Sequence, residues 1–83
     1  MKTELWSERE QAFRNELKSL RKRAGYNQGE LASKLNKPQS FVSKYENGER
    51  QLRYQEIELI CIACGSTMTE FSATFTEKMP ISL

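Results

Sequence analysis

The side chains with the clearest potential for chemistry lie in one short segment, residues 39–45, where polar and apolar residues follow a helical pattern. Val42 and Tyr45 are three residues apart and share one face of a helix, which we expect to be buried. The opposite face carries hydrogen-bonding side chains: Gln39, Ser40, Ser43 and Lys44. A glutamine amide can make two hydrogen bonds to adenine, and a lysine ammonium can reach the acceptors of guanine. We therefore expect this face to bind base edges, with Gln39 and Lys44 selecting the sequence. The two serines can contact a base or a phosphate, or serve only to let the helix approach closely.

A second short helix precedes this segment. Leu31, Ala32 and Leu35 fall on one helical face and can share a core with the inward face of the following helix. Asn27 is a favourable N-cap, and Glu30 stands three residues later, as a capping box requires. The sequence therefore predicts a helix that starts at residue 28 and ends near residue 35.

The connection between the two helices is short. Asn36 and Lys37 lie between them, and Asn is the residue other than Gly that best tolerates a left-handed backbone. Pro38 suits the first turn of the next helix, because the missing N–H has no helical partner there. Gly48 would end that helix in a left-handed conformation. Two short helices joined by a tight turn are typical of a DNA-binding helix-turn-helix.

The segment NQGELASKLNKPQSFVSKYENG resembles the helix-turn-helix of the Cro and phage-repressor family, also called the XRE family. That family repeats Q-x-x-LA-x-K, a turn, and Q-S-x-V-S-x-x-E-N-G at this spacing, and the resemblance extends over about residues 17–71. Two positions depart from the pattern: the family usually has Gly at Asn36, and relatives often have an acidic or hydroxyl cap at Arg53. The resemblance implies an all-α, lambda-repressor-like domain of five helices that places helix three in the major groove of double-stranded DNA.

The resemblance also implies contacts with the DNA backbone. Gln28 would hold a phosphate at the start of helix two, or is only a favourable first helical residue. Further phosphate contacts are expected from Lys37, Asn47, Arg50 and Arg53. Arg50 and Arg53 are alternatively solubilising charges. Phe41 would either pack on the protein or touch a thymine methyl group, and packing is favoured.

Arg21 and Glu46 occupy positions that form an ion pair in the family. The resemblance therefore implies a buried structural pair that holds helix one against helix three, and the competing interpretation makes Arg21 a DNA contact. Removal of one partner from a buried pair should cost about 3–5 kcal/mol.

Composition limits the remaining possibilities. The chain of 83 residues fits one domain. Its net charge is only +2, but residues 14–53 carry ten basic and four acidic side chains, whereas the rest carries three and seven. A basic centre between acidic ends suits phosphate binding, although many charge runs are only solvated surface.

The apolar spacing also predicts helices one, four and five and sets the bounds of helix three. Helix one would span residues 8–24 and begin at a capping box of Ser7 with Glu10. Helices three, four and five are expected over residues 38–46, 54–64 and about 67–78. We expect an N-terminal arm over residues 1–7, the DNA-binding domain over residues 8–79, and a tail over residues 80–83.

Enzymatic, metal and membrane functions find little support. The sequence contains no His, and Cys61 and Cys64 alone cannot supply four zinc ligands, so we expect neither a metal nor a cofactor. Both cysteines fall on the apolar face of helix four, where packing is favoured over a redox role. No apolar stretch is long enough for a membrane helix and no export leader is visible, so we expect a cytoplasmic protein that associates with the nucleoid when bound to DNA.

Leu59 and Ile62 lie opposite the core face of helix four and need a cover. The N-terminal arm, with Leu5 and Trp6, is one candidate, and a second subunit that uses helices four and five is the favoured one.

The expected function is that of a small transcriptional regulator, most simply a repressor that occupies a palindromic operator as a homodimer. The alternative is an antitoxin or another protein-interaction module that also regulates its own operon.

Overall fold

The fold consists of five α-helices around one small core. The structure, a computed structural model, describes residues 2–80, with side chains from Ser7 onward. The helices are α1 (Lys2–Arg23), α2 (Gln28–Lys34), α3 (Gln39–Glu46), α4 (Tyr54–Ala63) and α5 (Met68–Lys78). No strand occurs within that range. The predicted all-α fold with five helices is therefore confirmed.

Helix α1 is longer than the sequence suggested. It begins at Lys2, so the predicted start at Glu8 and the predicted capping box at Ser7 are wrong. Residues 2–6 contain neither Gly nor Pro, and a single Ser inside a helix costs only about 0.5 kcal/mol relative to Ala, so the helix continues through Ser7. The division into segments 1–7, 8–79 and 80–83 remains a prediction. The side chains of Leu5 and Trp6, considered above as a cover for α4, lie outside the described residues.

The start of α2 follows the sequence, whereas the start of α3 differs from it. The Asn27 side chain accepts a hydrogen bond from the Glu30 N–H (2.7 Å), and the Glu30 carboxylate accepts one from the Asn27 N–H (2.8 Å). This confirms the capping box. Pro38 is the N-cap of α3 and not part of its first turn, because the chain changes direction there and keeps an extended ψ of 156°. Its carbonyl nevertheless accepts the first helical bond, from the Phe41 N–H.

The core is formed where α1, α2, α3 and α4 meet, and Phe71 of α5 extends it. Its largest fully buried side chains are Leu17, Leu31, Val42, Tyr45, Ile60 and Cys61. Burial of each large aliphatic side chain contributes about 1.5–3 kcal/mol. The inward faces predicted for α2 and α3 are confirmed, so the two helices of the motif are held by a shared apolar core.

Helix α5 packs against the N-terminal half of α1. The Phe13 ring meets the rings of Phe71 and Phe75 edge-on, at centroid distances of 5.5 and 5.8 Å. The Arg9 guanidinium donates a hydrogen bond to the carbonyl of Met79 at 2.6 Å, just beyond the end of α5. These contacts join the two ends of the described chain. None of the described helices combines the length and apolar character needed to cross a bilayer.

Candidate nucleic-acid interface

The turn between α2 and α3 fixes the angle between the two helices. Asn36 has a φ of 57°, so the predicted left-handed backbone is confirmed. The Lys37 N–H donates to the Ala32 carbonyl (2.9 Å), and the Asn36 N–H donates to the Ser33 carbonyl (3.1 Å). Because these bonds satisfy carbonyl groups at the end of α2, the chain turns tightly and enters α3 in one orientation.

One face of α3 is buried and the other is exposed. Val42 and Tyr45 are 0 % and 1 % exposed, respectively, and they anchor the helix in the core. Gln39, Ser40 and Lys44 are exposed, and Ser43 is half-buried beside them. The structure therefore brings the four predicted base-contacting residues together on one outward face.

Gly29 is a residue whose place at this surface the sequence did not reveal. A Cβ atom at Gly29 would lie 3.5 Å from the Gln39 side-chain oxygen and 3.5 Å from the Asn27 side-chain oxygen. The start of α2 and the start of α3 are thus adjacent, and the Gln39 amide lies over the first turn of α2.

Arg21 and Glu46 form a buried ion pair behind this surface. The Arg21 Nε and Nη2 atoms donate to the Glu46 carboxylate at 2.7 and 3.1 Å, and the two side chains are 8 % and 4 % exposed. The Arg21 Nη1 atom also donates to the Tyr26 carbonyl at 2.8 Å. The hydrogen bond to Glu46 raises the pKa of Arg21 above its already high ordinary value. The buried structural pair implied by the family is confirmed, and it connects α1 to the last turn of α3.

Gln28 belongs to the same network. Its amide nitrogen donates to the Glu46 carboxylate at 3.0 Å, which orients the side chain at the first residue of α2. An amide nitrogen carries two hydrogens, so one remains available to an acceptor outside the chain. Gln28 is therefore more than a favourable first residue, and its contact with phosphate remains a prediction.

The loop after α3 is ordered by an arginine–carboxylate clamp. Both Arg50 Nη atoms donate to the Glu56 carboxylate at 2.9 Å, and the guanidinium lies 4.8 Å from the centre of the Phe41 ring. Glu56 also accepts from the Arg53 N–H at 2.8 Å, so it caps α4 at the same time. The hydrogen bonds from Arg50 lower the pKa of Glu56 to about 2. The sequence analysis missed this role of Glu56, although its place three residues after the N-cap is the spacing of a capping box.

The remaining predicted backbone contacts are differently placed. Lys37 and Asn47 are exposed at the two ends of α3, and Arg53 is exposed at the N-cap of α4. Arg50 already has a carboxylate partner. Phe41 is 8 % exposed and meets the Tyr45 ring edge-on at 5.5 Å. Packing of Phe41 on the protein is therefore confirmed, and the exposed polar residues are left to form the surface.

The cysteines lie behind the interface in the core region. Cys61 is fully buried, and burial raises the pKa of its thiol to about 11. Cys64 is half-buried, and burial raises its pKa as well. Reactive thiols have lowered pKa values, so packing is the better interpretation of both residues.

Tyr45 carries a buried polar group that the fold leaves without a partner. Its hydroxyl makes no hydrogen bond within the described residues, and burial raises the pKa of this phenol above its ordinary value. A buried hydroxyl without a partner opposes folding, so the aromatic ring of Tyr45, and not its hydroxyl, stabilises α3.

Comparison with known proteins agrees with this geometry. The family model described as "Helix-turn-helix" matches residues 17–71. An XRE-family like protein from Pseudomonas syringae pv. tomato str. DC3000 has a solved structure that superposes with a TM-score of 0.86. It is 35% identical in sequence, and the match covers 95% of this chain and 96% of that chain. None of the curated proteins compared with the chain matches it.

Proposed function

Because the chain belongs to the XRE family of helix-turn-helix DNA-binding regulators, we propose that it acts as a transcriptional repressor that occupies a palindromic operator as a homodimer. The observation that carries this proposal is the outward face of α3. Gln39 and Lys44 extend into solvent from a helix whose other face is fixed in the core. A rigid helix with free polar tips can insert in the major groove without a large loss of conformational entropy.

Sequence selection would come from the first turns of α3. Gln39 would make two hydrogen bonds to an adenine, and Lys44 would bind the acceptors of a guanine. Each good pair of this kind contributes about 1–3 kcal/mol of discrimination against the wrong base. The Gln39 side chain lies next to the first turn of α2 and is exposed, so it would be free to meet a base edge.

Backbone contacts would set the register on the duplex. The free amide hydrogen of Gln28, together with Lys37, Asn47 and Arg53, would bind phosphates on the two sides of the groove. Arg50 would act mainly by ordering the loop, because both of its terminal nitrogens already bind Glu56. The loop would then present Arg53 in a fixed position.

The homodimer is supported by the outer face of α4. Leu59 and Ile62 are each 56 % exposed and lie three residues apart, so they form one apolar strip. A small apolar cavity of about 30 Å³ adjoins Leu59, and its walls include Leu35, Phe41 and Ile60. A second copy, packed through α4 and α5, would cover the strip. Twofold symmetry would then place two α3 helices about 34 Å apart, which is one turn of DNA.

Selection from random double-stranded DNA tests operator recognition. The wild-type protein is expected to enrich a short palindrome, and Gln39→Ala is expected to relax the preference at one position in each half-site. Lys22→Ala changes an exposed residue of α1 and serves as the control that keeps the same palindrome. Enrichment of no sequence by the wild-type protein would refute operator recognition.

Sedimentation tests the dimer. Leu59→Glu should convert a dimer to a monomer, and Gln11→Glu, which adds the same charge on α1, should not. A wild-type protein that stays monomeric at about 50 μM, well above the dissociation constant of a useful dimer, would refute this part of the proposal.

A reporter with the selected palindrome across its promoter would then separate repression from activation, since a repressor lowers its transcription.

A further inference from the structure

A cleft of about 250 Å³ lies between α1 and the loop that follows α3. Glu10, Phe13 and Arg14 form its wall on α1, and the segment from Gly48 to Leu52 forms the opposite wall. The loop folds back on α3, because the N–H groups of Glu49 and Arg50 both donate to the carbonyl of Lys44. This α1–loop cleft therefore adjoins the C-terminal end of α3, from which Tyr45 lines it.

Arg14 brings a cation into the cleft. Its guanidinium rests on Gly48, so closely that a Cβ at this glycine would lie 3.1 Å from Cζ, 3.2 Å from Nε and 3.3 Å from Nη2 of the arginine. Gly48 also has a φ of 88°. The glycine thus supplies both a left-handed backbone and the room for the arginine. Within the described residues Arg14 makes no hydrogen bond and no ion pair, whereas Arg50, on the other wall, is already bound to Glu56.

The loop adds neutral donors to this cation. The backbone N–H groups of Gln51 and Leu52 find no acceptor within the described residues, and both residues line the cleft. A guanidinium with several N–H donors is a suitable partner for an anion with more than one oxygen. Glu10 at the edge of the cleft opposes such an anion, so its carboxylate should weaken binding.

We propose that the α1–loop cleft binds a phosphate of the DNA backbone and that Arg14 is a phosphate contact supplied by α1. The inference rests on the proposed binding of DNA by α3. Gly48, which carries the Arg14 guanidinium, directly follows Asn47 at the end of α3. A strand that follows the predicted contacts at Asn47 reaches the cleft next. Arg14 adds a point of attachment on a different helix, and α1 thereby becomes part of the DNA-binding surface.

The salt dependence of DNA affinity tests the role of Arg14. One phosphate contact contributes about 0.9 to the slope of log K against log salt concentration. Arg14→Gln should therefore lower the slope by about 0.9 per bound subunit, or about 1.8 for the proposed homodimer, and weaken binding about three- to tenfold per subunit, equally for the operator and for random DNA. Arg14→Lys should retain the slope, because the positive charge remains. Glu10→Gln should tighten binding.

Arg23→Gln is the matched control, because it removes the same charge from the same helix. Arg23 lies beside α5, where it pairs weakly with Glu16 at 3.4 Å and adjoins Gly65 and Glu70. Its loss should leave the slope unchanged. An unchanged slope in Arg14→Gln, or an equal fall in both variants, would overturn the inference. Thermal unfolding of Arg14→Gln measures any loss of loop packing. A change in stability alone does not alter the salt slope, so a lower slope reports a lost phosphate contact.

Random DNA keeps this test separate from that of operator recognition. A phosphate contact is independent of sequence, so Arg14→Gln lowers the slope even if the wild-type protein selects no palindrome. Selection of a palindrome with an unchanged slope in Arg14→Gln would leave the proposed function standing and remove the role of Arg14. Wild-type protein that binds no DNA would refute both.

Discussion

Replacement of Arg21 by Ala should destabilise the protein severely, although Arg21 is predicted to touch no DNA. The substitution removes three hydrogen bonds from a guanidinium, two to Glu46 and one to the Tyr26 carbonyl. It leaves the Glu46 carboxylate, which is 4 % exposed, with Gln28 as its remaining partner. Because a buried charge without its counter-ion is costly, we expect a loss of about 3–5 kcal/mol in the free energy of unfolding.

That loss is large for a domain of this size. Stabilities of 5–15 kcal/mol are usual, and about 0.1 kcal/mol per residue places an 83-residue chain in the lower half of that range. Arg21→Ala should therefore keep only about 3–5 kcal/mol of stability, so that it unfolds at a lower temperature and a lower urea concentration than wild type and loses helicity and DNA affinity together as it unfolds. Arg21→Met combined with Glu46→Leu should be much more stable than Arg21→Ala, since an apolar pair of similar volume leaves no charge buried.

Urea unfolding followed by circular dichroism at 222 nm measures the difference. A small domain loses about 1 kcal/mol of stability per molar urea, so the loss expected for Arg21→Ala would lower the unfolding midpoint by several molar. Exposed Lys22→Ala provides the control and should move it little. A loss below about 1 kcal/mol for Arg21→Ala would place the pair among surface ion pairs and refute the reasoning. Lost DNA binding with unchanged unfolding would make Arg21 a DNA contact.

Further expectations follow from the geometry. The pKa of Glu56 is about 2, below the ordinary value of 4.5, so the contribution of its carboxylate to stability is present above pH 4.5 and disappears as the pH falls towards 2. In thermal unfolding, Glu56→Gln should therefore be less stable than wild type at pH 7 and equally stable near pH 2. A difference in stability that stays constant with pH would contradict this. Gly29→Ala should raise the free energy of unfolding by about 0.5 kcal/mol, because the new Cβ makes only ordinary contacts. Gly48→Ala should lower it by about 1–2 kcal/mol because of its left-handed backbone, and the opposite order in urea unfolding would be evidence against the backbone argument. Tyr45→Phe should be neutral or stabilising by about 1 kcal/mol, since the hydroxyl is buried without a partner; a loss beyond 1 kcal/mol would indicate a hydrogen bond. Cys61 should react with a thiol reagent only after unfolding, and rapid labelling of the folded protein would show that the thiol is accessible.

The helix-turn-helix could be predicted from sequence because its signals are local. The capping box at Asn27 and the left-handed turn at Asn36 each depend on residues within a few positions of one another. Apolar spacing placed Leu31 and Val42 in the core for the same reason. The predicted start of α1 was wrong because Ser7 is a plausible N-cap and a plausible helix follows it. The only signal against a start at that position is that no helix breaker lies upstream.

Contacts between distant segments could not be predicted. The sequence indicated no role for Glu56, but this residue holds Arg50 and caps α4 at once. Arg14 meets Gly48 across 34 positions of sequence. Residue types state which pairs are possible, whereas the angle between α1 and α3 decides which pairs meet. Only the ion pair between Arg21 and Glu46 was anticipated, because the family pattern carries it.

The packing of α5 on the first half of α1 bears on the order in which the chain acquires its structure. Arg9 and the Met79 carbonyl are separated by 70 positions, so their contact closes almost the whole polypeptide into a ring. The entropic cost of closing such a ring rises with its length. This cost is small for α2 and α3, because their contacts join residues that are close in sequence. The helix-turn-helix, the part proposed to bind DNA, can therefore assemble first, and the two ends join afterwards and support it.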